Sequence, residues 1–369
     1  MIVRKLDDFL YYTEVDSKNM DNTYAIKYFY NISFCKTITN IHKIDAHFGG
    51  CTAIRNGNFF GRNLDWLYDN SNIYVIRTQG ANDKYSSIGV GGDIAKLIDM
   101  HDGYSDEKFD KLLPFLLLDG VNEKGLTISV NYNPNDFGMT YGINSDKEGD
   151  WLSLQMFPRY VLDNFANVKE LVNWLQNEGK VYARFNEDGT NQEYHFLVAD
   201  NTDTYVIEFV NNELKAIDLK DRPYITNFHI YNTKFKEDGK VDYKNVSNHA
   251  NGVERYNIVA ENYAQTSTEK GMHDVLTKCY CSNMSKETTQ PIWYSEFMYI
   301  DYSLDIKTLL TSKAKYTQVI KQAYEDFKTR DRNKQNTFHS LYSCVYNLEN
   351  KTLSLITQEK NDNQHTFSL

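Results

Sequence analysis

"HFGGCTAIRNGNFFGRNLDW", residues 47–66, sets two glycines before a single cysteine and follows it with an arginine and an aspartate. Asn56-Gly57 is a strong hairpin signal, because both residues tolerate the positive φ of a tight two-residue turn. The stretch therefore reads as two strands, Cys51 to Ile54 and Asn58 to Asn63. Arg62 and Asp65 then come back to the neighbourhood of Cys51. Gly49-Gly50 leaves the peptide ahead of the thiol sterically open.

That arrangement has a chemical meaning. A thiol attacks as thiolate, and a free one ionises near ~8.5. An α-amino group titrates near ~7.7–8. If the chain is cut between Gly50 and Cys51, amine and thiol share one residue. The amine can take the thiol proton and later hand a proton to a leaving amine, so no histidine is needed. Arg62 is expected to lower the thiol pKa, and Asp65 to hold the α-ammonium.

The rest of the chain fits a mixed fold. Strands are expected at 71–79, 126–133, 193–219 as an antiparallel meander, and 222–228. Residues 151–177 carry apolar residues at helical spacing, interrupted at Asn164 to Asn167. Further helices are expected at 253–265, 268–280 and 306–330, and a terminal hairpin turns at Glu349-Asn350-Lys351. Runs of strands and of helices without βαβ alternation predict an α+β fold, antiparallel sheet covered by helices.

Composition narrows the function classes. The net charge is −10, and no dense Lys/Arg stretch offers a nucleic-acid face. No apolar run approaches a membrane span, and "MIVRKLDDFLYY" does not read as a secretory leader. Five irregularly spaced cysteines do not make a disulfide framework, so a reducing, cytoplasmic home is expected. Cys279-x-Cys281 lacks a partner pair for metal, and no Walker or Rossmann pattern is present. No metal or organic cofactor is implied. His195, inside a strand pattern, reads as a packed histidine rather than a base.

Taken together, "CTAI…FFGRNLDW", "GVNEKGL" with Asn131, "LSLQMFPRYVLDNFANVKEL", "YITN" ending at Asn227 and "GVERY" with Arg255 resemble the choloylglycine hydrolases. These are linear-amide C–N hydrolases that include bile salt hydrolases and penicillin V acylases. "GGCT" is also similar to acid ceramidase and N-acylethanolamine acid amidase. The resemblance implies a four-layer αββα Ntn-hydrolase fold, with two stacked antiparallel sheets between helical layers. It implies Cys51 as nucleophile and base, Arg62 and Asp65 beside it, Asn131 and Asn227 as oxyanion donors, and Arg255 as an orienting residue.

The implied organisation is a propeptide, residues 1–50, removed by autocleavage at Gly50-Cys51, and a catalytic domain, 51–369, with 285–333 as an insertion. The implied substrate is a small N-acyl amide hydrolysed through a thioester, and relatives are often homo-oligomers. An acyltransferase, a bile salt hydrolase or penicillin acylase in particular, and an unprocessed small-molecule binder of the same fold are the alternatives. The sequence does not choose the acyl group or the amine.

Overall fold

The computed structural model describes residues 2–25, 50–66, 72–92, 106–133, 152–153, 156–177, 181–182, 194–210, 213–231, 233–242, 252–280, 283 and 339–369. The 285–333 insertion, the 306–330 helices, Cys35, Gly49 and Cys281 lie outside the described residues.

The chain opens with β1 (Ile2–Lys5) and β2 (Leu10–Asp16). The quoted stretch forms β3 (Gly50–Asn56) and β4 (Phe59–Trp66), joined at Gly57, whose φ of +58° suits glycine. Next come β5 (Ile73–Gln79), β6 (Ser87–Gly92), α1 (Asp106–Leu112), β7 (Leu117–Asn122) and β8 (Thr127–Tyr132). A two-residue parallel pair, β9 (Leu152–Ser153) and β10 (Val181–Tyr182), brackets α2 (Phe157–Asn164) and α3 (Val168–Asn177).

The predicted meander is β11 (Tyr194–Ala199), β12 (Thr204–Val210) and β13 (Glu213–Asp218). The strand expected at 222–228 shrinks to β14 (Tyr224–Ile225), after which the chain leaves the sheet. Two helices, α4 (Gly252–Asn262) and α5 (Glu269–Lys278), precede β15 (His339–Asn347), β16 (Thr352–Thr357) and β17 (Gln364–Ser368).

Two sheets result, of order β1-β2-β5-β6-β7-β8-β11-β12-β13 and β14-β3-β4-β15-β16-β17. All their pairings are antiparallel except β2 with β5, which is parallel. Alternation along the larger sheet explains the layering, since successive side chains point to opposite faces. Val75, Leu197 and Val206 share one buried cluster with Ala53, Leu64 and Tyr342 of the smaller sheet. Their neighbours Ile76, Phe196 and Ile207 pack instead with Phe157, Val161 and Leu171 of α2 and α3. On the far side, Tyr256 of α4 and Met272 and Leu276 of α5 cover the smaller sheet. The molecule is therefore an α+β fold of four layers, αββα, with the two sheets stacked between helices. Among the described residues no helix is long and apolar enough to cross a membrane.

Residues 2–16 do not stand apart from this architecture. β2 runs beside β5 over seven residue pairs, and Leu10 and Thr13 are completely buried. The head supplies edge strands to the larger sheet.

Candidate active site

The hairpin register decides what meets Cys51. Pairs run from Gly50–Asp65 through Cys51–Leu64 to Ala53–Arg62. Cys51 and Arg62 thus project from the same face, toward the larger sheet, while Asp65 projects toward the helical layer. Arg62 Nη2 stands 3.5 Å from Cys51 Sγ and donates to the Val130 carbonyl of β8. Its Nη1 donates to the Tyr342 hydroxyl at 2.7 Å and lies 3.4 Å from Asp119 Oδ2. Asp119, reaching across from β7, also accepts from the hydroxyls of Tyr342 and Tyr346 and from Cys344 Sγ. The guanidinium and this carboxylate are both fully buried.

A second arginine arrives from the other side. Arg255 of α4 donates to the Cys51 carbonyl and to Asn227 Oδ1, and lies 3.4 Å from Asp65 Oδ2. Asp65 also accepts from Ser340 Oγ at 2.6 Å. Each arginine is thus matched to its own carboxylate, and Cys51 sits between the two pairs.

Asn227 lies just past β14, where the chain turns toward Cys51. Its Oδ1 accepts from the Cys51 nitrogen at 2.7 Å, and its Nδ2 donates to the Tyr132 carbonyl. The amide nitrogen of Asn227 is thus engaged by the protein, and its oxygen is what faces Cys51. Asn131 differs. Ser129 Oγ donates to its Oδ1, while its buried Nδ2 has no hydrogen-bond partner. β8 carries it between Val130 and Tyr132, whose carbonyls bond Arg62 and Asn227. Of the two asparagines, Asn131 holds the uncommitted donor.

Gly50 packs tightly against this group. A Cβ there would stand 2.7 Å from Asp65 Oδ2, 2.8 Å from Asp65 Cβ and 3.2 Å from Arg255 Nη2. Cys51 is only 2% exposed. Burial pushes its thiol up, and Arg62 pulls the other way without overcoming that cost. The expected lowering by Arg62 is present as an influence, but in the uncut chain desolvation wins. A cavity of about 880 Å³ is lined by Arg4, Glu14, Arg77 and Lys111, among others, and by none of the residues named above.

All six residues singled out from the sequence, with Gly50, converge on one locus. Asp119, Ser340, Tyr342 and Tyr346 also belong to it and were not foreseen. The available signal was Asp119 itself, a carboxylate inside the apolar strand "LLDGVN". Cys279 is buried with its thiol pushed up to about 12 by burial, which makes it inert at neutral pH. No cluster of three metal-ligating side chains occurs among the described residues.

Residues 51–255 match the family model for linear amide C-N hydrolases, choloylglycine hydrolase family. A penicillin V acylase of Pectobacterium atrosepticum is 27% identical over 177 residues, 45% of this chain and 44% of that protein. A bile salt hydrolase/transferase of Lactiplantibacillus plantarum is 26% identical over 181 residues, 46% of this chain and 50% of that protein. The chain therefore spans about half the length of these relatives. A crystal structure of a mutant conjugated bile acid hydrolase from Clostridium perfringens superposes with a TM-score of 0.52 at 16% identity, covering 87% of this chain and 92% of that one. This last likeness is one of fold.

Proposed function

Because the chain belongs to the choloylglycine hydrolase family of linear amide C–N hydrolases, we propose that it is an N-terminal-cysteine amidase matured by cleavage between Gly50 and Cys51. The observation that carries this reading is Cys51 itself. Its sulfur touches Arg62, its nitrogen is held by Asn227 and its carbonyl by Arg255. A nucleophile is positioned at three of its own atoms, and the family match begins at that residue.

In the precursor the Cys51 nitrogen is an amide and cannot act as a base. Sγ attacks the Gly50 carbonyl, the C–N bond breaks, and the acyl group passes to sulfur. Water then hydrolyses the thioester, leaving a Gly50 carboxylate and a free Cys51 amine. The head retains its place through β2 and β5, so cleavage unmasks the site without removing two strands from the sheet.

In the mature enzyme the amine takes the thiol proton and the thiolate adds to the substrate carbonyl. Asn131 Nδ2 donates to the tetrahedral oxygen. Collapse expels the amine product with the proton from the Cys51 ammonium, and water releases the acid by the reverse proton path. Losing one oxyanion donor of this kind typically costs ~10²–10³ in rate.

The test is turnover of a panel containing penicillin V, glycine- and taurine-conjugated bile salts, fatty-acyl amides and N-acyl amino acids. Cleaved wild-type protein hydrolyses at least one, and Cys51→Ala none. Equal turnover by Cys51→Ala refutes the proposal. The transferase in the name of one relative supports a second reading, acyl transfer, which an added amine would reveal as a new amide product. Three buried free cysteines suit a reducing, cytoplasmic setting.

A further inference from the structure

A row of polar side chains crosses the inner face of the larger sheet, away from the sulfur. Asn131 of β8 pairs directly with His195 of β11. Phe196 pairs with Ile207, which sets His195 opposite Glu208 of β12. All three residues are completely buried. Directly opposed residues in an antiparallel ladder have Cβ atoms roughly 4.5–5.5 Å apart, on one face.

The hydrogen bonds fix what His195 is. Its Nε2 lies 2.8 Å from the Thr226 carbonyl oxygen, and its Nδ1 lies 3.0 Å from Glu208 Oε1. A carbonyl oxygen can only accept, so Nε2 carries a proton. Glu208 also accepts from the backbone nitrogens of Ile230 and Tyr231, one at each carboxyl oxygen, at 2.8 and 3.0 Å, which favours its ionised, accepting form. Nδ1 therefore carries a proton as well. Burial works to raise the Glu208 carboxyl, but His229 and His195 together hold it below the usual carboxylate range.

We propose that His195, as a buried imidazolium paired with Glu208, is the positioning residue of the oxyanion site. Its Nε2–H grips the Thr226 carbonyl, one peptide bond before the asparagine that holds the Cys51 nitrogen. Thr226 Oγ1 donates to the Gly252 carbonyl, at 2.8 Å, and secures the same turn to the start of α4. Asn131, with its open Nδ2, stands across the strand pair from the ring. One cation thus braces Asn227 and flanks Asn131, and it adds positive potential where negative charge develops. It never touches substrate, and it is not a base for Cys51. Among the described residues, the charged and titratable groups facing it are Glu208 on β12 and His229 beyond Glu208, 3.4 Å from Oε2.

This inference rests on the amidase reading, and its test separates the two. The first arm uses full-length Cys51→Ala chain, labelled with ¹⁵N-histidine, at pH 7.5; His195→Gln identifies the ring signals. Two protonated nitrogens on His195 are expected, and a neutral ring with one bare nitrogen overturns the proposal whatever the enzyme does. The second arm compares cleaved wild type with His195→Gln, using penicillin V as probe and a urea curve to show that both are folded. The variant is expected to lose about tenfold or more in kcat while KM stays within about threefold. Unchanged kcat, or a loss confined to KM, overturns it. Where penicillin V is not a substrate, the rate of Gly50–Cys51 cleavage replaces kcat, with the same tenfold slowing expected and an unchanged rate overturning it.

Discussion

Replacing Gly50 by alanine adds one methyl group where the structure leaves no room for it. The new Cβ would sit 2.7 Å from Asp65 Oδ2, against an ordinary contact of 3.4 Å or more, so something must move by roughly 0.7 Å. Asp65 cannot easily yield. Ser340 bonds it at 2.6 Å, and Arg255 stands 3.4 Å away with its own ties to Cys51 and Asn227. The Gly50–Cys51 peptide is then the part expected to shift, which would disturb the approach of the thiol to the Gly50 carbonyl in the proposed cleavage. Overpacking of this kind costs about 1–3 kcal/mol. At 1.36 kcal/mol per decade, that slows self-cleavage roughly 5- to 150-fold. The assay is intact mass against time for freshly refolded precursor. After cleavage residue 50 is no longer bonded to Cys51, so kcat per cleaved molecule should equal that of wild type. Cleavage of Gly50→Ala at the wild-type rate or faster would refute the steric argument, and a reduced kcat after cleavage would refute the assignment of Gly50 to the precursor step alone.

Other expectations follow from the same geometry. Asp119→Asn leaves Arg62 buried without its carboxylate, so unfolding free energy from urea curves should fall by about 3–5 kcal/mol; an unchanged midpoint would show that the pair adds nothing. Burial raises the Cys51 thiol in the uncut chain, so thiolate is scarce at neutral pH and grows about tenfold per pH unit below its pKa. The cleavage rate should therefore climb from pH 7 to 9, and a flat profile would exclude the thiolate as the attacking species. His273 is held down to about 4 by burial, against an ordinary 6.5. The unfolded chain binds this proton first, so stability present above pH 6.5 is lost as pH falls toward 4, by on the order of 3 kcal/mol. His273→Gln should flatten that part of the stability profile, and an equally steep decline in the variant would contradict the assignment.

Much of this was legible in the chain because it rests on local rules. Asn56-Gly57 announces the hairpin that carries Cys51, Arg62 and Asp65, and the interruption after Asn164 separates α2 from α3. What was not legible depends on partners distant in sequence. Ser340 meets Asp65 across 275 positions, and Tyr342 meets Asp119 across 223. No spacing rule connects them. The role of the head was obscured in the same way. β2 is an ordinary mixed strand until β5 lies parallel beside it, and only then do these residues become part of the sheet. The strand expected at 222–228 is cut short because Thr226 and Asn227 are turned away, toward His195 and Cys51. Cys51 itself shows the limit of reasoning from neighbours. Arg62 is where it was expected, but full burial of Cys51 outweighs it.

Sulfur and amine of one residue acting together is the claim on which the mechanism depends, and the N-terminus of catalytically active protein tests it most directly. Edman degradation and intact mass of purified, turning-over material should give a chain beginning at Cys51. Turnover by protein in which Gly50 is still bonded to Cys51 would contradict the account.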